Sequence, residues 1–178
     1  MTDSPQTPDE PATSSRIGQG MLTLFWLLVL GLTTLFCQDY LEKRENPNHT
    51  LDSRTHSSGL REVVLQRNAY GHYVSPGKIN GVDVTFFLDT GATGVSIPEH
   101  IAEKIGLQRG YQYQSSTANG TIDVYSAELD KVELGAIQLY DVRGSINPHY
   151  EEDDILLGMS FLKHLEMAQK GSTLTLRQ

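Results

Sequence analysis

The chain has 178 residues, and its 14 Lys and Arg against 22 Asp and Glu give a formal net charge of −8 at pH 7. Nucleic-acid phosphates are bound by clustered basic side chains, so this charge argues against a nucleic-acid partner. The single cysteine, Cys37, excludes an intrachain disulfide framework and a thiolate metal cluster. The length suits one domain with accessory segments but not two full domains.

The N-terminal third predicts a tail followed by a membrane-spanning helix. Residues 1–16 are rich in Pro, Ser, Thr and acidic residues, which is typical of a disordered segment. No charge occurs in residues 17–38, and this apolar run is close to the roughly 20 residues that cross a bilayer as a helix. The alternatives are a core helix, which would show a polar stripe, and a signal peptide, which would end in small residues. Neither pattern is present, so we predict a transmembrane helix over residues 17–38.

A polar segment, residues 39–60, follows the apolar run and contains Pro47 and Gly59 without any hydrophobic period. It predicts a flexible linker. Lys43, Arg44 and, further on, Arg54 follow the span, whereas Arg16 precedes it, so the positive-inside rule favours a cytoplasmic C-terminal domain.

Residues 61–178 predict a mostly β domain. Asn80-Gly81 is a strong hairpin motif between two apolar runs, and Pro98–Ile105 followed by Gly106 predicts a short helix. A second hairpin is predicted around residues 117–128, and a helical turn at Met159–Leu165. Short strands, glycine turns and little helix indicate a small all-β barrel or sandwich. The further predicted strands cover residues 62–67, 72–79, 82–88, 131–139, 141–146 and 173–176.

One apolar strand ends in an acidic turn. Residues 84–88 (VTFFL) lead directly into Asp89, Thr90, Gly91 and Ala92. An aspartate at the end of an apolar strand is costly to desolvate unless it is paired or used. Asp-Thr-Gly is also ordinary turn chemistry, so the triplet alone leaves a structural and a catalytic interpretation open.

Two further elements accompany this triplet. Ile155-Leu156-Leu157-Gly158 is an apolar-apolar-Gly motif late in the chain, and Ala118-Asn119-Gly120 forms a hairpin tip about 30 residues after Asp89. In order and spacing, these elements resemble the retropepsin-like aspartic proteases, in particular a bacterial branch with an N-terminal membrane anchor. The resemblance covers residues 61–178 and implies a retropepsin-like (acid protease) β-barrel with one or two short helices.

The resemblance also implies roles for individual residues. Asp89 would be the catalytic carboxylate, supported by Thr90, Gly91 and Ala92. The hairpin tip at Ala118, Asn119 and Gly120 would be the flap that closes over substrate. Leu156, Leu157 and Gly158 would form the floor beneath the catalytic loop.

Proteases of this type use two carboxylates that share one proton, and this chain has a single Asp-Thr-Gly. The resemblance therefore implies a homodimer in which two copies of Asp89 activate a water to hydrolyse a protein or peptide substrate. It also implies a single-pass protein of the bacterial inner membrane with a periplasmic protease domain. We follow it over the charge count, because three basic residues barely test the positive-inside rule.

Other chemistry is poorly supported by the sequence. The six histidines show no paired metal-ligand spacing, and neither Ser96 nor Ser160 lies in a nucleophile elbow, so no metal and no cofactor are expected. A different hydrolase using Asp89 as a nucleophile for phosphoryl transfer would need a phosphate-binding loop or metal carboxylates. The principal alternative is a catalytically silent, membrane-tethered dimerisation or peptide-binding module with the same fold.

Overall fold

A computed structural model describes residues 13–117 and 120–178. The helices are α1 (Thr13–Glu45), α2 (Glu99–Ile105) and α3 (Met159–Leu162). The strands are β1 (Asp52–Thr55), β2 (Arg61–Gln66), β3 (Val74–Ile79), β4 (Val82–Leu88), β5 (Val95–Pro98), β6 (Gln112–Thr117), β7 (Gly120–Leu134), β8 (Ile137–Asn147), β9 (Asp154–Leu157), β10 (Glu166–Lys170) and β11 (Thr173–Arg177). The chain divides into two compact units, Met1–Leu41 and Glu42–Gln178.

The first unit contains most of helix α1. In the part of the chain that the structure describes, Gln19–Glu45 is the one helix that is long and apolar enough to cross a membrane. Three of its hydroxyl groups are satisfied within the helix: those of Thr23, Thr33 and Thr34 each donate a hydrogen bond to the carbonyl four residues earlier. Such internal pairing is what an apolar solvent demands of a polar group.

The second unit is built around a barrel. Its strand order is β3-β4-β9-β5-β8-β7-β6, and an additional pairing between β3 and β7 closes the ring. Inward-facing side chains fill the interior, including the fully buried Phe86, Ile97, Leu129 and Ile155. The all-β barrel with short helices predicted from the sequence is confirmed, and closure of the ring leaves β6 as an edge that is bonded to β7 alone.

Local chemistry fixes two connections as predicted. Asn80 and Gly81 have φ values of 50° and 84°, the left-handed pair that a two-residue turn between β3 and β4 requires. Helix α2 ends at Gly106, whose φ of 80° lets its N–H donate to the Ala102 and Glu103 carbonyls.

A second sheet, in the order β1-β2-β11-β10, covers one side of the barrel. Alternate residues of its two central strands are buried, with Val63 and Leu65 on β2 and Leu174 and Leu176 on β11. The face that these residues form therefore belongs to the same core as the barrel.

The predicted flexible linker over residues 39–60 is wrong for much of its length. Helix α1 continues to Glu45, and Asp52–Thr55 forms strand β1 against β2. Between them, the buried Asn48 side chain donates to the Gln66 and Val74 carbonyls and accepts from the Gln66 N–H. One amide thus satisfies backbone groups where β2 ends and β3 begins, which composition and periodicity do not reveal. The predicted disordered tail likewise overlaps α1 at residues 13–16, and residues 1–12 lie outside the described part.

Candidate active site

Asp89 lies directly after β4, at the point where the apolar strand ends. Its N–H donates to the Leu157 carbonyl over 3.2 Å, so the pairing of β4 with β9 continues as far as the aspartate. The Asp89 side chain is half-buried. The strand ladder therefore determines from which end of the barrel the carboxylate emerges.

A tight turn after Asp89 orients its carboxylate. The Gly91 N–H donates to Asp89 Oδ1 over 2.8 Å, and the Ala92 N–H donates to the Asp89 carbonyl over 3.2 Å. A Cβ on residue 91 would lie only 3.1 Å from Oδ1, so a side chain there would crowd the hydrogen-bonded oxygen. Among the described residues the Gly91 N–H is the one donor to this carboxylate, which leaves Oδ2 open to water or to a ligand.

The segment after β9 fixes the other side of this turn. The Met159 N–H donates to the Ala92 carbonyl over 2.8 Å, and the Ser160 N–H donates to the Thr93 carbonyl over 2.9 Å. The Ser160 hydroxyl accepts from the Val95 N–H and donates to the Arg143 carbonyl. Residues separated by more than 60 positions in the sequence thus form one hydrogen-bonded unit around Asp89.

Gly158 is the residue on which this close approach depends. It is buried, and a Cβ added to it would lie 2.2 Å from the Gly94 carbonyl oxygen and 2.5 Å from the Ala92 carbonyl oxygen. Both neighbours are backbone atoms, so no rotamer change relieves the clash. Glycine is required here for the two backbones to touch.

The strand register brings four side chains to one face of the β4–β9 pair. Thr85 is opposite Asp154 and Phe87 is opposite Leu156, while the intervening Phe86 and Ile155 point into the core. Because side chains alternate along a strand, Asp89 follows Phe87 on the outer face. Asp89 therefore shares one half-exposed surface with the four side chains of the paired strands, Thr85, Phe87, Asp154 and Leu156.

Two ionisable residues beside this surface were not predicted as site residues. Burial raises the pKa of the Tyr150 hydroxyl, and the negative charges of Asp154, Glu152 and Asp89 raise it further. Burial likewise raises the pKa of the Asp154 carboxyl, with additional contributions from Glu152, Asp153 and Glu45. None of the strands predicted from the sequence includes Asp154, so its position on the same face as Asp89 was not foreseen.

A hairpin made of β6 and β7 extends beyond the ring of the barrel. Its strands pair from Gln112–Tyr125 to Thr117–Gly120, and the Thr117 hydroxyl donates to the Gly120 carbonyl over 2.8 Å. Gly120 has a φ of 119°, which few other residues adopt. The hairpin predicted around Gly120 is thus present, whereas its tip at Ala118 and Asn119 lies outside the described residues.

Two surface depressions on the described part of the domain lie away from Asp89. One is lined by β4 and α2 residues together with Asp153, and the other by residues 106–111 and the middle of β7. Neither includes Asp89. Within the same residues no cluster of three or more His, Cys, Asp and Glu side chains is arranged to hold a metal ion.

Comparison with known proteins assigns the family. The model of the gag-polyprotein putative aspartyl protease family matches residues 75–164, which is half of the chain. The chain belongs to this family. The matched range runs from β3 to just beyond α3 and so includes Asp89, the β6–β7 hairpin and Gly158.

Individual relatives agree with this assignment. An uncharacterized protein from the cobV 5' region of Sinorhizobium sp is 35% identical over 118 residues, covering 65% of this chain and 51% of that protein. An uncharacterized protein of Rickettsia prowazekii is 27% identical over 113 residues, covering 62% of this chain and 48% of that protein. The chain thus spans about half the length of the curated relatives it matches.

The fold is also found in a solved structure. A crystal structure of a retropepsin-like aspartic protease from Rickettsia conorii superimposes with a TM-score of 0.53 and 23% sequence identity. The match covers 72% of this chain and 95% of that one. The domain therefore has the retropepsin-like fold.

Within this family fold, the predicted site residues form two groups. Asp89, Thr90, Gly91 and Ala92 form the turn after β4, with Thr90 exposed and the others in the contacts given above. Leu157 and Gly158 are buried behind that turn, whereas Leu156 is half-buried and shares the outer face with Asp89. The floor predicted from the motif thus contains both core residues and one surface residue.

Replacing Gly158 with alanine should destabilise the domain by about 1–3 kcal/mol, because backbone carbonyls must move to admit the methyl group. Gly94→Ala is the matched control, since its Cβ would meet its nearest atoms at an ordinary 3.8 and 3.9 Å. Urea unfolding of the full chain in detergent, followed by near-UV circular dichroism, measures both. Equal stability of the two variants would contradict the close-packing argument.

Replacing Asp154 with asparagine should increase the free energy of unfolding relative to the wild type, and this gain should be larger at neutral pH than at acid pH. A carboxyl whose folded-state pKa is raised above its ordinary value contributes stability at low pH that is lost as pH rises through the folded pKa. The amide does not ionise, so the stability gain of Asp154→Asn over the wild type should grow as pH rises from the ordinary carboxyl pKa through the raised folded-state pKa. Urea unfolding at several pH values tests this, with the exposed Glu151→Gln as control; a pH-independent difference would contradict it.

Proposed function

We propose that the chain is an aspartic endopeptidase whose active site is completed by Asp89 of a second copy. The observation that carries the proposal is the Asp89 turn, in which the Gly91 N–H holds one carboxylate oxygen and the Gly158 segment fixes the backbone behind it. The family and the fold agree with this chemistry. One Asp-Thr-Gly per chain supplies half of the required pair of carboxylates.

The reaction follows from two carboxyl groups at close range. Like charges about 3 Å apart do not both ionise, so the pair holds one proton. The ionised member removes a proton from water while the protonated member donates a hydrogen bond to the scissile carbonyl. Water oxygen bonds to the carbonyl carbon, and cleavage of the C–N bond then transfers a proton to the departing amine. The Gly91 N–H keeps the carboxylate oriented through these steps.

The hairpin of β6 and β7 supports a role in covering the substrate. It is bonded to the barrel on one side through β7 and projects past the ring. Closure of such a hairpin would exclude water from the reacting groups. On this proposal, Ala118, Asn119 and Gly120 act as the flap, and Phe87 and Leu156 contact substrate side chains.

We further propose that α1 anchors the domain in a membrane, with the protease on the periplasmic side of a bacterial inner membrane. Its length, its apolar composition and its internally paired threonines support this. The expected result is that the full chain stays with the membrane during alkaline carbonate extraction and that external protease digests the domain in spheroplasts. Extraction of the chain into the soluble fraction would contradict the membrane anchor. Protection of the domain from external protease would contradict its periplasmic location.

Asp89→Asn should lower peptidase activity at least about a hundredfold, because an amide of the same shape removes no proton from water. The substrate is a mixture of quenched fluorescent peptides of random sequence, digested by the full chain in detergent. Asp130→Asn on the exposed side of β7 is the matched control and should retain activity. Near-normal turnover by Asp89→Asn would refute the assignment.

Co-expression distinguishes a shared site from two independent ones. If each site needs both copies, equal amounts of wild-type and Asp89→Asn subunits should lower the activity per wild-type subunit to about half, as random pairing dictates. Independent sites would leave it unchanged. A wild-type chain that forms dimers but cleaves no peptide would favour the silent binding module instead.

A further inference from the structure

The carboxyl end of helix α1 is capped by a loop of the barrel domain, residues 68–72, which we call the capping loop. The last turn of a helix leaves carbonyl groups without partners inside the helix. Here the Ala69 N–H donates to the Arg44 carbonyl over 3.1 Å, and the Asn68 side-chain amide donates to the Glu45 carbonyl over 2.9 Å. These contacts all lie within the second compact unit, so the barrel domain holds the helix end directly.

The capping loop has a defined conformation of its own. Asn68 Oδ1 accepts from the N–H groups of Tyr70 and His72 over 3.0 and 2.9 Å. The Gly71 N–H donates to the Asn68 carbonyl over 3.2 Å, and Gly71 has a φ of 91°, which residues with a side chain rarely adopt. One asparagine side chain thus closes the loop with its oxygen and holds the helix end with its nitrogen.

The segment after the helix is fixed as well. Asn48 is buried, and its side chain bonds to backbone groups of Gln66 and Val74, which flank the stretch that contains the capping loop. Only Asn46 and Pro47 lie between Asn48 and the end of α1. The helix end is therefore joined to the connection between β2 and β3 at two positions rather than through a free tether.

The other side of the capping loop contacts the surface that carries Asp89. The His72 ring packs against Phe87 with 4.8 Å between ring centroids, and Phe87 lies two residues before Asp89 on the same outer face. The charge of Glu45 also reaches this surface: alongside burial, which is the main cause, it raises the pKa of the Asp154 carboxyl. The capping loop thus has the end of α1 on one side and the candidate active site on the other.

Chain length limits how far the capping loop can lie from the apolar run. Arg44 is six residues after Gln38, the last residue of the uncharged run, and α1 is helical as far as Glu45. Six residues reach about 20 Å when fully extended and about 9 Å as a helix. The headgroup layer of a bilayer adds about 6 Å on each side of the hydrocarbon core. If α1 spans a bilayer, as proposed, the capping loop therefore lies at or just outside the headgroup layer.

The chemistry of the capping loop suits a membrane interface. Its sequence, NAYGH, contains no Asp, Glu, Lys or Arg, and Tyr70 is 63% exposed. Tyrosine is enriched at bilayer interfaces because its ring is apolar and its hydroxyl is polar. A single exposed tyrosine is common on protein surfaces, but the neighbouring Ala69 is bonded to one of the carbonyls that end α1. The loop therefore presents Tyr70 beside the end of the helix.

We propose that the capping loop lies against the membrane interface and that the substrates are polypeptides inserted in the same membrane, cleaved within roughly ten residues of the bilayer. The path from the apolar run through Arg44 and the capping loop to Phe87 is on the order of 30 Å, which about ten extended residues of a substrate cover. The inference rests on the proposed protease and the proposed anchor, and it names their substrate class. The reaction is the same hydrolysis of a peptide C–N bond by water.

Fluorescence quenching tests the position of the loop without reference to activity. In a Cys37→Ala background, a fluorophore on Tyr70→Cys is compared with one on Asp130→Cys, with the full chain in phosphatidylcholine vesicles that contain headgroup spin-labelled lipid. Asp130 is exposed and adjoins Lys131, whose carbonyl is bonded to Asn80 at the other end of β3. Quenching should be at least about twofold stronger for the Tyr70→Cys label, because spin labels quench only at close range and β3 alone separates the two sites by about 20 Å. Equal quenching of the two labels would overturn the proposal.

Substrates of graded distance test the cleavage range. The sequence that is best cleaved in the random peptide mixture is fused to a single membrane-spanning peptide, either close to the span or beyond a rigid spacer of about 20 prolines, which is about 60 Å long. In vesicles that contain the wild-type chain, the near substrate should be cleaved at least about tenfold faster than the far one, because only the near one is presented to the cleft at high effective concentration. Equal rates for the two substrates would overturn the proposal.

A linker insertion provides the matched variant. About 20 Gly and Ser residues between Gln38 and Asp39 give the domain an additional mean reach of about 25 Å, so the preference for the near substrate should fall to about threefold or less. The same linker between Pro11 and Ala12, before the span, should leave the preference unchanged. Both variants should cleave the soluble peptide in detergent at the wild-type rate. A preference that survives the insertion after Gln38 would overturn the proposal.

The outcomes separate this inference from the proposed function. Cleavage of soluble peptide without preference for the near substrate would overturn the substrate class and leave the protease intact. Stronger quenching of the Tyr70→Cys label in a chain that cleaves no peptide at all would overturn the protease and support the position of the loop.

Discussion

The contact between the end of β9 and the turn after β4 is the constraint on which the rest of the domain depends. The Leu157 carbonyl accepts from Asp89, and the Met159 N–H donates to Ala92, so both strands end against one another. Absence of a side chain at Gly158 allows the backbones to approach to this distance. A carboxylate on a free loop would sample many orientations, and this contact removes that freedom before any substrate binds.

Local sequence was sufficient for the parts of the fold that local chemistry determines. The turn at Asn80-Gly81 and the end of α2 at Gly106 follow from backbone conformations that few residues adopt, and both were predicted at the observed positions. The Asp-Thr-Gly turn and the late Gly158 were likewise found from their motifs. These elements carry their information within a few residues.

Elements that depend on distant partners were missed. Strand β9 has only four residues and is formed by parallel pairing with β4 some 70 positions earlier, so its alternation is too short to recognise. Assigning it would have placed Asp154 beside Asp89 on one face. Asn48 was assigned to a linker because residues 39–60 are polar and have no hydrophobic period, whereas its burial is explained by the three backbone groups that it satisfies.

The electrostatics around Asp89 also bear on how two copies would meet in the proposed dimer. Tyr150, whose pKa burial and acidic neighbours raise, remains a neutral hydroxyl near Asp89 and so offers a hydrogen-bond donor rather than another negative charge. Bringing a second acidic chain to this surface carries a repulsive cost, since each copy has a formal charge of −8. Attraction between the copies of the proposed dimer must therefore come from elsewhere on the surface. Confinement by α1 to a membrane would favour the proposed dimer by raising the effective concentration of one copy near another, so that a weaker interface suffices than between chains free in solution.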